Sequence, residues 1–119
     1  MLSAKLINTE IDQELIDERL EMIGQSVEVM RALAHPLRLT ILQFIDSLGT
    51  TQVFNIHNSL ELEQSVTSQH LKILRNAELV NTERDGKFIH YSVNYDIIRS
   101  VNMDIDKFFK KWKEPVLGK

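Results

Sequence analysis

Cysteine is absent from the 119 residues, which removes disulfide frameworks, thiolate metal sites and thiol redox chemistry together. No stretch approaches the roughly 18 apolar residues a membrane span needs. No basic segment followed by an apolar run opens the chain, so a cytoplasmic protein without membrane association is expected. There is no Gly-rich phosphate loop, no Ser-His-Asp spacing around a nucleophile turn and no carboxylate pair in apolar surroundings, and the chain does not read as an enzyme. An excess of positive charge is also missing, since the formal net charge is −3.

What is present fits one small globular domain over residues 1–119, with 43% hydrophobic and 26% charged residues. The charge is unevenly placed. Residues 1–30 carry two cations and seven anions, residues 64–94 four and three, and residues 95–119 six and four. A surface for a polyanion need only be locally positive, so the overall sign lowers the prior for nucleic acid without deciding it.

The segment Glu63 to Val80 has helical periodicity. Val66, His70, Ile73, Leu74 and Ala77 form a stripe that would face a core, with Leu71 on its edge. The opposite side is Ser65, Ser68, Gln69, Lys72 and Asn76. Short hydroxyl, amide and cationic groups of this kind reach base edges and phosphates at little desolvation cost. Alone, such a face is no more than the wet side of an amphipathic helix.

Its neighbours add weight. Val53 to Leu60 is a short helix with Val53, Ile56 and Leu60 on one face and Thr51 available as N-cap, and only Glu61, Leu62 and Glu63 separate it from the next. That spacing suits a helix-turn-helix over 53–77. A hairpin over 80–93 follows, with Ile89, Tyr91 and Val93 on one face and a type I′ turn expected at Asp85-Gly86. Arg84 and Lys87 flank that turn, where a wing would meet phosphate.

The remaining segments read as scaffold. Thr9 with Asp12 suggests a capped helix over 9–23 ended at Gly24, and a second helix covers about Ser26 to Ala34. Pro36 suits the first position of a third helix, Pro36 to Leu48, closed by Gly49. Asn94 caps a last helix over 95–113 with Ile97, Ile98, Val101, Ile105, Phe108, Phe109 and Trp112 as its apolar set. Wide apolar faces at both ends suggest a homodimer through the 9–23 and 95–113 helices, the alternative being that the two cover each other within one chain.

Three runs carry a resemblance: RALAHPLRLTILQFI (31–45), GTTQVFNIHNSLELEQSVTSQHLKILRNAELV (49–80) and ERDGKFIHYSV (83–93). Leu33, Ala34, Pro36 and Arg38, then Ser68, His70, Leu71 and Leu74, then Leu79 and Val80, and finally Gly86 with Tyr91 match a family pattern without gaps. On these residues the chain resembles the ArsR/SmtB family of bacterial winged helix-turn-helix repressors. The resemblance implies a mainly α fold with a small β-hairpin wing, ordered α-α-α-α-α-β-β-α and dimeric. It also implies a homodimer that occupies a palindromic double-stranded DNA operator until a signal releases it.

By the same resemblance Gln64, Ser65, Thr67, Ser68, Gln69 and Lys72 face the major groove. His70 is open between a phosphate contact and a half-buried brace. Glu78 departs from the pattern, because relatives usually carry Gly where the chain leaves the helix. Metal-sensing relatives use cysteines near the first helix of the helix-turn-helix, where this chain has Val53-Phe54-Asn55-Ile56-His57, or carboxylates and imidazoles on the last helix, where it has Tyr95, Ile97, Phe108 and Lys111. No metal or other cofactor is expected, since the four histidines, in different elements, lack a paired spacing, and a site assembled across the dimer from His and Asp is the one metal alternative left open. The signal is left open among a small organic ligand, a protein partner and concentration alone. The competing reading is a winged-helix protein-interaction module without sequence-specific DNA binding.

Overall fold

The central helix is set by its ends. His35 lies in extended backbone (φ −144°, ψ 120°) and its Nδ1 accepts from the Leu37 N–H at 3.2 Å, while Pro36 occupies the first turn, where a missing N–H costs nothing. The other end closes on Gly49 at φ +81°, whose N–H donates to the Ile45 and Asp46 carbonyls. Between these stops Ile41, Leu42 and Ile45 are buried.

The computed structural model describes residues 10–117, with side chains placed for 13–18, 20–21 and 23–110. In chain order the elements are α1 (Glu10–Leu33), α2 (Pro36–Leu48), β1 (Thr51–Gln52), α3 (Val53–Ser59), α4 (Gln64–Asn76), β2 (Val80–Asp85), β3 (Phe88–Val93) and α5 (Tyr95–Leu117). The sheet order is β1-β3-β2, antiparallel throughout. One core joins Val29 and Ala32 of α1, Ile56 of α3, Leu71 and Leu74 of α4, Leu79 just after it, Val80, Tyr91 and Val93 of the hairpin, and Val101 of α5 to the buried face of α2.

Several expectations are corrected. The two N-terminal helices are one continuous α1 that runs through Gly24. An interior glycine costs a helix only about 1 kcal/mol, and Ser26 caps nothing: it is buried, and its hydroxyl donates to Asp104 Oδ2 of α5 at 3.0 Å. Packing against α5 therefore outweighs the local break signal. The expected Thr9 cap lies outside the described residues. Thr51 is not the cap of α3 either, since it is buried in β1 opposite Tyr91 and Gln52 takes the cap position without a side-chain bond.

The hairpin turn also moves by one residue. The ladder continues through Asp85 opposite Phe88, so Gly86 and Lys87 form the turn, and only Gly86 has positive φ (+63°). A type I′ turn needs positive φ at both central residues; glycine at the first alone is the type II′ pattern.

Both helices of the helix-turn-helix end in the same way. Glu61 (φ 55°) and Glu78 (φ 62°) occupy the left-handed region, and the leucine after each donates back into the helix: Leu62 N–H to the His57 carbonyl at 2.8 Å, Leu79 N–H to the Leu74 carbonyl at 2.9 Å. These are Schellman closures with an apolar residue following. The doubtful exit at Glu78 is therefore a regular one in which glutamate stands in the conformation that favours glycine.

Asn94 ties three elements together. Its backbone N–H donates to the Leu79 carbonyl, its Nδ2 donates to the Glu78 carbonyl at 2.8 Å, and its Oδ1 accepts from the Asp96 N–H at 3.1 Å as the cap of α5. The Tyr95 hydroxyl donates to Asp46 Oδ1, a link from α5 to α2 that holds the phenol above its usual pKa.

Candidate nucleic-acid interface

A surface can read DNA only if the helix bearing it is held still. Helix α4 is fixed on its inner side by Leu71 and Leu74, both buried, and at its ends by the turn from α3 and the closure at Glu78. On the outer side Gln64, Ser65, Ser68, Gln69 and Lys72 are all exposed, at spacings that keep them together on the free face. Five of the six positions assigned to the major groove are thus available. The sixth is not. Thr67 has 0% exposure, and its hydroxyl donates to the Glu63 carbonyl at 3.0 Å, so it closes the first turn from within and belongs to the core.

The inner stripe is correspondingly rotated. Thr67, Leu71 and Leu74 are buried, Val66, His70 and Ala77 are half-buried, and Ile73 is 42% exposed. Two adjacent apolar rows ran along this helix, and the one without Ile73 faces inward.

His70 is half-buried and packed against Arg38 and His35. Its Nδ1 lies 3.4 Å from Arg38 Nη1, and its ring meets the His35 ring at 4.8 Å between centroids, tilted 55°. Burial lowers its pKa first, and the nearby His35 and Arg38 lower it further. The four histidines therefore do not all stand apart, since the fold brings His35 and His70 together from positions 35 residues apart. Among the described residues no group of three or more His, Asp or Glu is placed to hold a metal ion.

Arg38 is the residue whose role the sequence did not disclose. Its Nε donates to the Ala32 carbonyl at 2.6 Å and its Nη2 to the Arg31 carbonyl at 3.3 Å. A cation there gives the Ala32 carbonyl a partner, adds a second donor to the Arg31 carbonyl, which already accepts from the Ala34 N–H at 3.2 Å, and complements the dipole at the C-terminal end of α1. The only sequence signal was a helix stop at Ala34 followed four residues on by an arginine.

The wing is anchored to the helix-turn-helix by β1, which pairs Thr51 with Tyr91 and Gln52 with His90 and runs directly into α3. Arg84 and Lys87 are both exposed at the tip, Lys87 in the turn itself with its Nζ 5.5 Å from the Phe88 ring centroid. Glu83 and Asp85 are exposed beside them, and Asp85 Oδ2 lies 4.0 Å from His90 Nε2. The tip thus carries two cations and two anions, with Arg84 and Lys87 exposed on either side of Gly86. Among the described residues no helix is long and apolar enough to cross a membrane.

Known proteins resemble this chain in sequence and in fold. Residues 35–82, from the cap of α2 into β2, match the bacterial regulatory protein, arsR family. The chain is 33% identical over 84 residues to the transcriptional repressor PagR of Bacillus anthracis, covering 66% of this chain and 81% of that protein. It is 30% identical over 77 residues to the transcriptional regulator YgaV of Escherichia coli, covering 65% and 78%. An ArsR-like regulator from Rhodococcus superposes with a TM-score of 0.74 over 80% of this chain and 89% of that one, at 17% identity, a likeness of fold. These relatives are regulators of transcription, not enzymes. The chain belongs to the arsR family of bacterial regulatory proteins and is a transcriptional regulator.

Proposed function

We propose that this regulator is a cytoplasmic homodimeric repressor that binds a palindromic DNA operator, with α4 in the major groove and the wing tip on the backbone. The observation that carries the reading is the exposed row Gln64, Ser65, Ser68, Gln69 and Lys72 on a helix otherwise locked into the core. Amides and hydroxyls there suit base edges, Lys72 suits phosphate or guanine, and Arg84 and Lys87 suit phosphate.

A twofold dimer supports the reading because a single small domain makes few phosphate contacts, whereas two copies read half-sites about one helical turn apart. Helices α1 and α5 are the elements offered for it. Leu15, Leu20, Met30, Met103 and Phe109 are exposed on them, beside an apolar cleft of about 280 Å³ lined by Ile23, Met30, Ile105, Phe108 and Phe109. The signal that releases the operator is not a thiolate-bound metal, because the chain has no cysteine.

Gel-shift assays with the DNA upstream of the gene test this directly. A discrete shifted band at low salt, competed by the same duplex and not by an unrelated one, is expected. The absence of any shift at low salt would turn the assignment toward a protein-interaction module.

A further inference from the structure

The N-terminal helix and the reading helix meet at one side chain. Arg38 holds two terminal carbonyls of α1 with its Nε and Nη2, and presents Nη1 to the Nδ1 of His70 on α4. A guanidinium has donors only, so Nδ1 must accept and the imidazole must be neutral with its proton on Nε2. We infer that Arg38 is the positioning residue of the reading helix, fixing α4 against the end of α1 through the neutral ring of His70, and that a proton on His70 opens this joint. The structural part stands on the contacts alone; its consequence for DNA rests on the repressor reading above.

The surroundings give a proton nowhere comfortable to go. Protonated Nδ1 would become a donor pointed at a cation. His35, the other ring at the site, already uses its Nδ1 to accept the Leu37 N–H that caps α2. On α1, Arg31 and Glu28 pair with each other at 3.5 Å on an exposed rim. No carboxylate lies within 4.0 Å of His70 among the described residues. A positive His70 would thus add a second charge beside Arg38 with no counter-ion, and the fold accordingly holds its pKa below the ordinary imidazole value through burial first and His35 and Arg38 after it.

The sign follows. The neutral form is favoured in the folded state, so the joint is intact above the ordinary imidazole value of about 6.5 and is lost as the pH falls through the lower value that His70 has in the fold. His70 sits next to Gln69 and two residues before Lys72, both on the exposed face of α4, so a displaced ring moves side chains assigned to the groove.

Acid alone predicts the opposite for DNA. Added positive charge tightens binding to a polyanion, whereas an opened joint weakens it. Two measurements on the full chain decide the matter. In NMR titrations from pH 7.5 to 5, the amides of Ala32, Leu33 and Ala34 at the end of α1 and of Gln69 and Lys72 on α4 should move with the same midpoint as the His70 ring. In His70→Gln, which keeps an acceptor but cannot titrate, that common midpoint should vanish while the thermal midpoint at pH 7.5 stays close to that of the parent protein. Arg38→Met should raise the His70 midpoint; if that variant does not fold, His70→Gln decides alone. Operator affinity should fall about tenfold between pH 7.5 and 5.5, a typical coupling between two sites, and His70→Gln should stay level or tighten. Amides at the end of α1 that ignore the His70 titration, or parent affinity that tightens in acid as the variant's does, would overturn the inference. A chain that binds no DNA at pH 7.5 would remove the repressor reading, and the NMR titration would still decide the joint.

Discussion

The winged core and the α1–α5 pair treat apolar surface in opposite ways. From α2 to β3 Ile41, Ile45, Ile56, Leu71, Leu74 and Leu79 are essentially inaccessible, although Leu39, Leu48 and Ile73 on the outer faces of α2 and α4 are exposed. Along α1 and α5 the inner contacts are Val29, Ala32 and Val101, while Leu15, Leu20, Met103 and Phe109 remain in solvent, Phe109 at 54% exposure. Packing density decides the difference: a short helix-turn-helix wrapped by a three-stranded sheet can enclose α2, but two long helices meet along one line and leave their flanks open. The core therefore encloses most of its own large aliphatic surface, and the helical pair leaves much of its own in solvent.

Breaking each region should have a different signature. The largest effect is expected for Ile45→Ala, which should lower stability by about 3 to 4 kcal/mol in urea unfolding. Leu20→Ala, on an exposed flank, should change the stability of the isolated subunit by less than about 0.5 kcal/mol. Comparable losses from both would erase the contrast between the regions. Next in size, Phe109→Asp should weaken self-association by about 2 kcal/mol or more with helix content unchanged, as followed by sedimentation. Unaltered self-association would place the interface elsewhere.

On the reading surface, Gln69→Ala should relax base preference by about 1 to 3 kcal/mol, whereas Arg84→Ala and Lys87→Ala should weaken all duplexes alike. Thr67→Val is the internal control: it removes the buried bond to the Glu63 carbonyl at a cost of about 1 kcal/mol in stability and should leave base preference untouched. A competition assay across single-base operator variants separates these outcomes. The smallest effect sharpens the account of the helix exit. Glu78→Gly should stabilise the fold by about 0.5 to 1 kcal/mol, because glycine adopts φ 62° without the Cβ clash. Loss of stability instead would mean that the contact from Gln25 Nε2 to Glu78 Oε2, at 3.3 Å, outweighs that clash.

Much of this architecture was legible in the chain because the decisive signals are local. His35-Pro36, Gly49 and Asn94 mark helix ends by their own stereochemistry, and all three do so in the fold. The alternation of Ile89, Tyr91 and Val93 likewise fixed the inner face of the wing, where Tyr91 and Val93 are buried. What failed depended on distant partners. Gly24 looked like a stop because only α5, about 80 residues on, reveals why α1 continues. Thr67 was placed in the groove by the family resemblance and not by the helical periodicity, and a threonine that satisfies itself on its own first turn can be buried at little cost. The Arg38–His70–His35 cluster was invisible because no spacing along the chain announces it.

On the proposed function, the exposed row of α4 and the cations of the wing form a DNA-binding surface on an acidic protein. Fluorescence anisotropy with a labelled operator duplex, titrated from about 50 to 200 mM salt, tests it most directly. A dimer that neutralises roughly six to ten phosphates should lose about three to five orders of magnitude in affinity across that range. Binding that is absent at the lowest salt, or unchanged by salt, would contradict the claim.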